Sequence, residues 1–191
     1  MNVTKIMTKP LKSSFLSCEK DAETIIRKLF VESNPYSDQL KRLLVINTKD
    51  CLDNSNENYN KIVKNISVKE LIEEKYITLT PVIKMKEHEE IKSYIVITFD
   101  NFEQTSNPEY RDCIISFDII CPTDYWDLGD YQIRPIKILG IIDGILNNSR
   151  LSGIGTLQFV SCTELFLMND FSGYSLHYQA THGEDDRIPN R

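Results

Sequence analysis

Three acidic residues that fall on or near predicted strands, Asp100, Asp118 and Glu164, are the first candidates for chemistry. Carboxylates on neighbouring strands can hold a divalent metal ion that activates a water molecule, as nucleases require. A restriction-nuclease-like site also needs a Glu-x-Lys sequence on the adjacent strand. No lysine follows Glu164 at that spacing, and the Glu-Glu-Lys run at residues 73–75 lies at a predicted helix end. The pattern therefore disfavours a carboxylate-metal nuclease, which is kept as the enzyme alternative.

The five cysteines form neither a CxxC motif nor a cluster with histidine at metal-binding spacing. Cys113 and Cys121 fall on one face of a predicted strand, where a free cysteine usually acts as a small buried apolar side chain. An odd number of cysteines without a recognisable spacing suits a reducing cytoplasm. We therefore expect no metal site.

Two loops resemble ligand sites in composition alone. Residues 47–60 are rich in Asn and Asp, but they lack the central glycine and the spacing of a calcium-binding loop. Gly153 and Gly155 lie after a predicted helix and before a predicted strand, which reverses the order found in phosphate-binding loops. Since no nucleophile–base pair was found either, we expect neither enzyme activity nor a cofactor.

The size and charge of the chain limit its class. It has 191 residues, a net charge of −6 and an isoelectric point near 5.1. These values favour one domain and argue against a free-standing nucleic-acid-binding protein, which would carry a basic face. They are compatible with a ring through which DNA passes without specific binding. No signal peptide and no apolar run of membrane-spanning length is present, so we expect synthesis in the cytoplasm and no membrane partner.

The stretch from Arg111 to Trp126 organises the predicted fold as one long strand followed by a turn. Alternate residues from Cys113 to Cys121 are all apolar, so this face is expected in the core, with Phe117 at its centre. The opposite face alternates between apolar and polar residues and includes Asp118. Pro122 has no amide hydrogen for the ladder and ends the strand.

The other periodic segments predict an α+β fold in the order α-β-β-α-β-β. A helix that Ser17 caps and Asn34-Pro35 stops comes first, and a helix over 135–146 lies between the two strand pairs. The strands are predicted over 91–102, 111–121, 156–168 and 173–181. We expect an antiparallel four-stranded sheet with two helices packed on one face. Residues 1–191 form a single domain in this interpretation, with an N-terminal arm at 1–13 and a C-terminal tail at 182–191.

Residues 37–90 are predicted to be an insertion or an elaborated first half of the fold. Two short helices flank the loop at 47–60, and the second begins at a capping box from Ser67 to Glu70. Residues 76–84 have a strand pattern that Pro81 interrupts, so we expect an arm or hairpin that projects toward a neighbouring subunit. The candidate contact residues of this arm are Tyr76, Ile77, Val82 and Ile83.

Aromatic residues in the loop after the organising strand, Tyr125, Trp126 and Tyr131, are the second group of candidate subunit contacts. No helix or strand pattern would bury Trp126 within the subunit, and tryptophan and tyrosine are enriched at interface hot spots. The alternative is that Trp126 folds back on the rim of the core. Sheet edges are expected to contribute to the same contacts.

Two glycines, Gly140 and Gly144, lie four residues apart in the second core helix. They either weaken this helix or let another backbone pack closely against it, and both interpretations stay open.

The order and character of these elements resemble the tail terminator, or tail completion, proteins of tailed bacteriophages. The resemblance rests on the opening helix with DAETIIRKLF, the strand CIISFDIICP, the helix PIKILGIIDGIL and the closing pair TLQFVSCTELFLMNDFSGYSLHYQ. It covers the first helix and about the last half of the chain, and no signature motif accompanies it. The 37–90 segment and the acidic tail depart from the family pattern.

This resemblance implies a structural virion protein that forms a homohexameric ring. Such a ring sits on the last ring of the tail-tube protein, stops tube growth and presents a surface to the head connector. No catalysis is implied. Other neck, head-completion or connector proteins share the related fold and are the alternatives, as is a module that binds a small molecule or a peptide.

Overall fold

The fold is known from a computed structural model that describes residues 14–32, 35–80, 91–107, 110–151, 154–167 and 170–183. The helices are α1 Ser14–Phe30, α2 Pro35–Val45, α3 Glu57–Asn65, α4 Val68–Glu73 and α5 Arg134–Leu146. The strands are β1 Ile77–Thr78, β2 Tyr94–Gln104, β3 Tyr110–Pro122, β4 Ile154–Phe166 and β5 Phe171–Gly183. A short 3-10 helix, Thr123–Tyr125, follows β3 directly.

The sheet places β3 at its centre, in the order β1-β2-β3-β5-β4. The four long strands are antiparallel neighbours, as predicted. The prediction of four strands is nevertheless incomplete, because β1 adds a fifth strand that pairs parallel to β2, with Ile77 opposite Ile95. The sheet is therefore mixed. β1 follows a tight turn after α4, in which the Tyr76 amide donates to the Leu71 carbonyl. This turn places the following residues at the edge of the sheet.

The two faces of β3 lie as the alternation predicts. Cys113, Ile115, Phe117, Ile119 and Cys121 are all at most 1% exposed and belong to the main core. The other face combines a small apolar cluster, to which Ile120 belongs, with polar pairs across to β5. Ser116 shares a hydrogen bond of 2.9 Å with His177, and Ser175 donates to Asp118 at 2.5 Å. His177 is thus half-buried rather than exposed.

Helices cover the Phe117 face of the sheet. α1 packs on β5, and α5 packs on β3 and β5, which confirms the two helices expected there. α2 contacts both of these helices. The predicted N-cap at Ser17 is wrong, because α1 already includes Ser14 and Ser17 lies within it. Tyr178 on β5 donates a hydrogen bond of 2.7 Å to Asp143 and so fixes α5 to the sheet.

The described part of the 37–90 segment contributes to this same core. Its fully or nearly buried apolar residues are Leu40, Leu43, Leu44, Ile46, Cys51, Val63, Leu71 and Ile77. The predicted loop at 47–60 ends earlier than expected, because Asn56 caps α3 with its side chain and helix begins at residue 57. The capping box at Ser67 and Glu70 is confirmed.

The predicted ends of the chain need one correction. β5 continues through His182 and Gly183, so the first two residues of the predicted 182–191 tail belong to the sheet. The arm at 1–13, residues 81–90 and the rest of the tail lie outside the described residues. The division of the chain into arm, insertion and tail stays a prediction.

A close backbone approach in the sheet occurs at Gly173, which pairs with Ile120 on β3 and Leu165 on β4. A Cβ atom at this position would lie 1.7 Å from the Ile119 carbonyl oxygen. Because that oxygen belongs to the central strand, it cannot move without disturbing the β3–β5 ladder. Glycine is therefore required here by space.

Phe117→Ala should lower the free energy of unfolding by about 3–5 kcal/mol, because it empties the centre of the core. Asp118→Ala should cost far less, since that side chain is partly exposed on the half-polar face. Urea denaturation followed by circular dichroism would measure both. A larger loss from Asp118→Ala would show that the two faces of β3 are assigned the wrong way round.

Gly173→Ala should destabilise the protein by roughly 1–3 kcal/mol or more, because the added methyl group collides with backbone. Gly140→Ala is the matched control: its Cβ meets nothing within 4 Å, and it lies inside a helix. That control should stabilise the protein by about 0.5–1 kcal/mol. Equal effects of the two substitutions in thermal denaturation would contradict the close approach at Gly173.

Candidate subunit interface

The loop from Thr123 to Ile133 joins β3 to α5 and carries the three predicted aromatic contacts. It is a tight, hydrogen-bonded structure rather than an irregular linker. The Arg134 amide donates to the Trp126 carbonyl at 2.8 Å, and Asp127 and Ile133 form an isolated bridge. Asp127 also accepts from the Gly129 amide at 2.8 Å and from Lys49 at 2.5 Å. The hydrogen bond from Lys49, followed by that from Gly129, lowers the pKa of this exposed carboxyl.

Trp126 is half-buried and packs against the main core. Its indole Nε1 donates to the Cys121 carbonyl at 3.3 Å, and its ring centroid lies 6.2 Å from that of Tyr174. Trp126 was expected either to contact another subunit or to fold back on the rim of its own core. The structure places it on that rim. Truncating this side chain would therefore disturb the subunit itself.

Tyr131 has the opposite environment. It is fully exposed, at 104% of the reference area, and stands at the tip of a turn. Asp130 and Tyr131 have φ values of 48° and 62°, and the Gln132 amide donates to the Gly129 carbonyl at 2.9 Å. These features define a type I′ turn, whose third position normally holds glycine because its backbone is left-handed. A tyrosine there is strained, and such strain supports the hypothesis that the position is functional.

The remaining predicted contacts are buried in the core, half-buried or outside the described residues. Ile77 is 1% exposed and packs in the subunit's own core, so it is not available to a neighbour. Tyr76 is half-buried against that core, with the Lys92 ammonium 4.8 Å from its ring centroid. Tyr125 is half-buried, and its carbonyl accepts from Arg134. Val82 and Ile83 lie outside the described residues.

Arg134, which sequence reasoning missed, holds the loop in place. Its guanidinium is fully buried and donates four hydrogen bonds, all to backbone carbonyls. Nε donates to Tyr125 at 2.8 Å, and the two terminal nitrogens donate to Leu43 at 2.6 Å, Ile46 at 3.0 Å and Thr48 at 2.8 Å. These carbonyls include the C-terminal end of α2, where the helix dipole favours a cation. An arginine at the unfavourable positive end of α5 was the one signal for such a role.

An apolar groove of about 550 Å³ lies beside this loop, between α2 and α5. We call it the α2–α5 groove, and its main lining residues are Tyr36, Tyr131, Ile133, Ile136, Gly140 and Gly144. A Cβ atom added at either glycine would meet nothing within 4 Å. Thus, among the described residues, no backbone packs on Gly140 or Gly144, and both glycines instead deepen a surface groove rimmed by exposed apolar side chains.

The edge strand β4 is the second exposed apolar surface. It pairs with β5 on one side, and no described residue pairs with its other side. Phe159, Val160 and Phe166 are 50%, 48% and 84% exposed. Glu164 is the only charged residue in this strand. Long edge strands are usually protected by lysine, proline or a cover, so an apolar edge of this kind favours pairing with another chain.

The acidic residues of the nuclease alternative do not converge. Glu164 pairs with Tyr174, which pairs with Ile119, whereas Asp118 is on the opposite face of the sheet. Asp100 pairs with Ile114, four residues from Asp118 along β3, or about 13 Å. Within the described ranges, no three His, Cys, Asp or Glu side chains are placed to hold a metal ion.

Comparison with known proteins identifies one family. The family model described as YomW matches residues 37–180, about three quarters of the chain. The chain belongs to the YomW family. A Bacillus phage-derived protein carries this name, which indicates that the present chain is also phage-related. No curated protein matches the chain.

The YomW match begins at residue 37 and therefore takes in the whole 37–90 segment, the strands β2 to β4 and β5 up to residue 180. It includes the loop from Thr123 to Ile133, the β4 edge and the lining of the α2–α5 groove except Tyr36. In the part of the chain that the structure describes, no helix is both long and apolar enough to cross a bilayer.

Arg134→Met should lower the free energy of unfolding by at least about 3 kcal/mol, because it leaves four carbonyls without their donor and each buried unsatisfied group costs about 1–3 kcal/mol. Arg134→Lys should recover part of this loss, since lysine keeps the charge without the planar fork. Arg150→Met, at an exposed arginine, is the control. Denaturation curves in which both methionine variants behave alike would contradict the role of Arg134.

Proposed function

We propose that this protein is a structural component of a phage particle, forming a homohexameric ring that caps the tail tube and joins the tail to the head connector. The ring assembles in the host cytoplasm and belongs to the virion neck. DNA passes through its lumen without specific binding. The proposal combines the phage-derived family name with the order of helices and strands that resembles tail terminator proteins.

The observation that carries the oligomeric part of the proposal is Tyr131. A fully exposed aromatic side chain on a left-handed backbone costs folding free energy in the isolated subunit, by about 1–2 kcal/mol for a residue with a Cβ. Nothing in the part of the subunit that the structure describes offsets that cost, because the contacts of the turn there are made by backbone and by Asp127. A contact with another subunit would repay it, since tyrosine is a typical interface anchor.

Two different surfaces on one subunit also suit a ring. The α2–α5 groove is built from helices and a loop, whereas the β4 edge offers unpaired backbone with Phe159 and Val160 beside it. When one surface binds a different surface on the next copy, the association is head-to-tail and closes into a ring if the rotation allows it. We assign the groove and the edge to this pairing between copies of the chain.

Tyr131→Gly should abolish the ring and, at the same time, raise the stability of the subunit by about 1 kcal/mol, because glycine adopts the left-handed backbone without strain. Mass photometry of the pure protein should show a species six times the 22.1 kDa subunit mass for the natural sequence and smaller species for the variant. Asp130→Gly relaxes the neighbouring position but keeps the aromatic ring, so it should still assemble. A Tyr131→Gly protein that forms intact rings would refute the interface.

A mixing experiment tests the head-to-tail pairing itself. Val160→Lys should block the β4 edge, as lysine does on natural edge strands, while leaving the groove intact. Each variant alone should stay monomeric, and a mixture of Val160→Lys with Tyr131→Gly should give dimers and no larger species, because only one good pair of surfaces remains. Self-association of Val160→Lys alone would instead indicate a groove-to-groove contact.

In the phage, loss of the ring should leave filled heads and detached tails, with tails that can be overlong. Normal virions made with Tyr131→Gly would remove the link between this surface and neck assembly. A natural protein that stays monomeric even with tail tubes present would overturn the tail terminator proposal.

A further inference from the structure

Four side chains that are far apart in sequence form a buried polar cluster between α1 and the sheet. Cys18 and Asp21 lie three residues apart on one face of α1, Cys113 is on β3, and His182 is on β5. Asp21, Cys113 and His182 are at most 1% exposed, whereas Cys18 is partly exposed. The family match covers Cys113 but not Cys18, Asp21 or His182, and the proposed ring uses none of the four.

The cluster is a continuous chain of hydrogen bonds. His182 Nε2 donates to the Asp21 carboxylate, and His182 Nδ1 lies 3.5 Å from Cys113 Sγ. The thiol of Cys113 in turn hydrogen-bonds Cys18. With His182 protonated, every link has one donor and one acceptor: Asp21 accepts from Nε2, Cys113 sulfur accepts from Nδ1, and the Cys113 S–H donates to Cys18.

This chain favours the thiolate of Cys18. The hydrogen bond from Cys113 lowers the pKa of Cys18 to about 7, opposed by burial and by Asp21 and assisted by the charge of His182. The same hydrogen bond raises the pKa of Cys113, as does burial. For His182, burial alone would lower the pKa, but the hydrogen bond and charge of Asp21 outweigh it and raise it. Cys18 is thus the nucleophile of the pair and Cys113 the protonated partner.

Cys18 is also accessible. It lines a groove of about 560 Å³ whose walls are α1, through Glu19 and Ala22, and β2, through Ile97 to Asp100. Because Cys18 is partly exposed and lines this groove, the groove is the route by which a small solute would approach it. Cys113 is buried directly behind it, so a reagent in the groove meets Cys18 first.

We propose that Cys18 and Cys113 are a peroxide-sensitive thiol pair, in which Cys18 is oxidised first and Cys113 resolves it to a disulfide that ties α1 to β3. A partly exposed thiolate beside a second cysteine is the arrangement of redox-sensing sites. This inference stands independently of the proposed ring.

The chemistry balances with hydrogen peroxide as the oxidant. The Cys18 thiolate attacks one peroxide oxygen, the O–O bond breaks, and the departing hydroxide takes a proton from solvent, which leaves a sulfenic acid and water. Cys113 sulfur then attacks Cys18 sulfur, the S–O bond breaks, and the hydroxide leaves as water with the Cys113 proton. In total the two thiols lose two electrons and two protons, and one peroxide becomes two waters.

The test uses the full chain treated with hydrogen peroxide at pH 7, followed by peptide mapping without reductant. We expect a linked peptide pair containing Cys18 and Cys113, two hydrogens lighter than the free peptides and restored by dithiothreitol. Cys113→Ser should stop the reaction at the sulfenic acid, trapped on Cys18 by dimedone. Overoxidised Cys18 with free Cys113 in the natural protein, or no reaction at Cys18, would overturn the proposal.

Cys162 supplies the matched control, because it is exposed on β4 and burial raises its pKa. Iodoacetamide at pH 7 should modify Cys18 about five- to tenfold faster than Cys162, since the larger thiolate fraction outweighs the lower intrinsic nucleophilicity. Cys162→Ser should leave the cross-link unchanged. Faster alkylation of Cys162 than of Cys18 would show that the cluster does not activate Cys18.

Discussion

The buried charge of Arg134 is the constraint on which the candidate interface depends. Removing a guanidinium from water costs several kcal/mol even in a relaxed protein, so its surroundings must supply compensating dipoles. Here the compensation comes from four carbonyls, three of them at or just beyond the end of α2 and one in the loop after β3. Because each carbonyl must point at the guanidinium, the position of α2 and the path of the loop are fixed together.

A second buried arginine extends this constraint to the segment after α2. Arg42 is 4% exposed and donates to the carbonyls of Cys51 and Asp53 and to the side chain of Asn60. Its planar group bridges the loop and the first turns of α3, which have no apolar periodicity of their own. The two arginines therefore replace hydrophobic packing where the sequence is rich in Asn and Asp.

The sequence was most informative where burial follows a simple period. Alternation along β3 located its core face to the residue, and the Pro135 start and apolar stripe located α5 to within one residue at its start.

The sequence was least informative where the partner of a residue is distant along the chain. Arg134 contacts residues 86 to 91 positions earlier, and His182 meets Asp21 across 161 positions, so no local pattern reveals either contact. Trp126 looked unpartnered for the same reason, since its neighbour Tyr174 belongs to the last strand. β1 was assigned to a projecting arm because Pro81 follows it, but the structure buries Ile77 in the core and pairs it with Ile95 on β2.

The exposed surfaces of the subunit follow from what these constraints leave uncovered. β1 pairs with only Ile95 and Val96, so in the described chain the outer side of β2 from Ile97 onward has no strand partner, and β4 leaves a second free side at the other end of the sheet. The β2 side is crossed by the Cys18 groove and by α1, whose Phe15 ring packs against Phe102 with 4.8 Å between ring centroids.

The β4 side of the sheet has exposed Phe and Val residues and a single carboxylate. An edge-to-edge contact between two β4 strands would be two-fold and would stop at a dimer. The proposed ring would need β4 to meet a surface other than itself, and the α2–α5 groove beside the loop that Arg134 holds is an apolar surface of the described chain that is open to it.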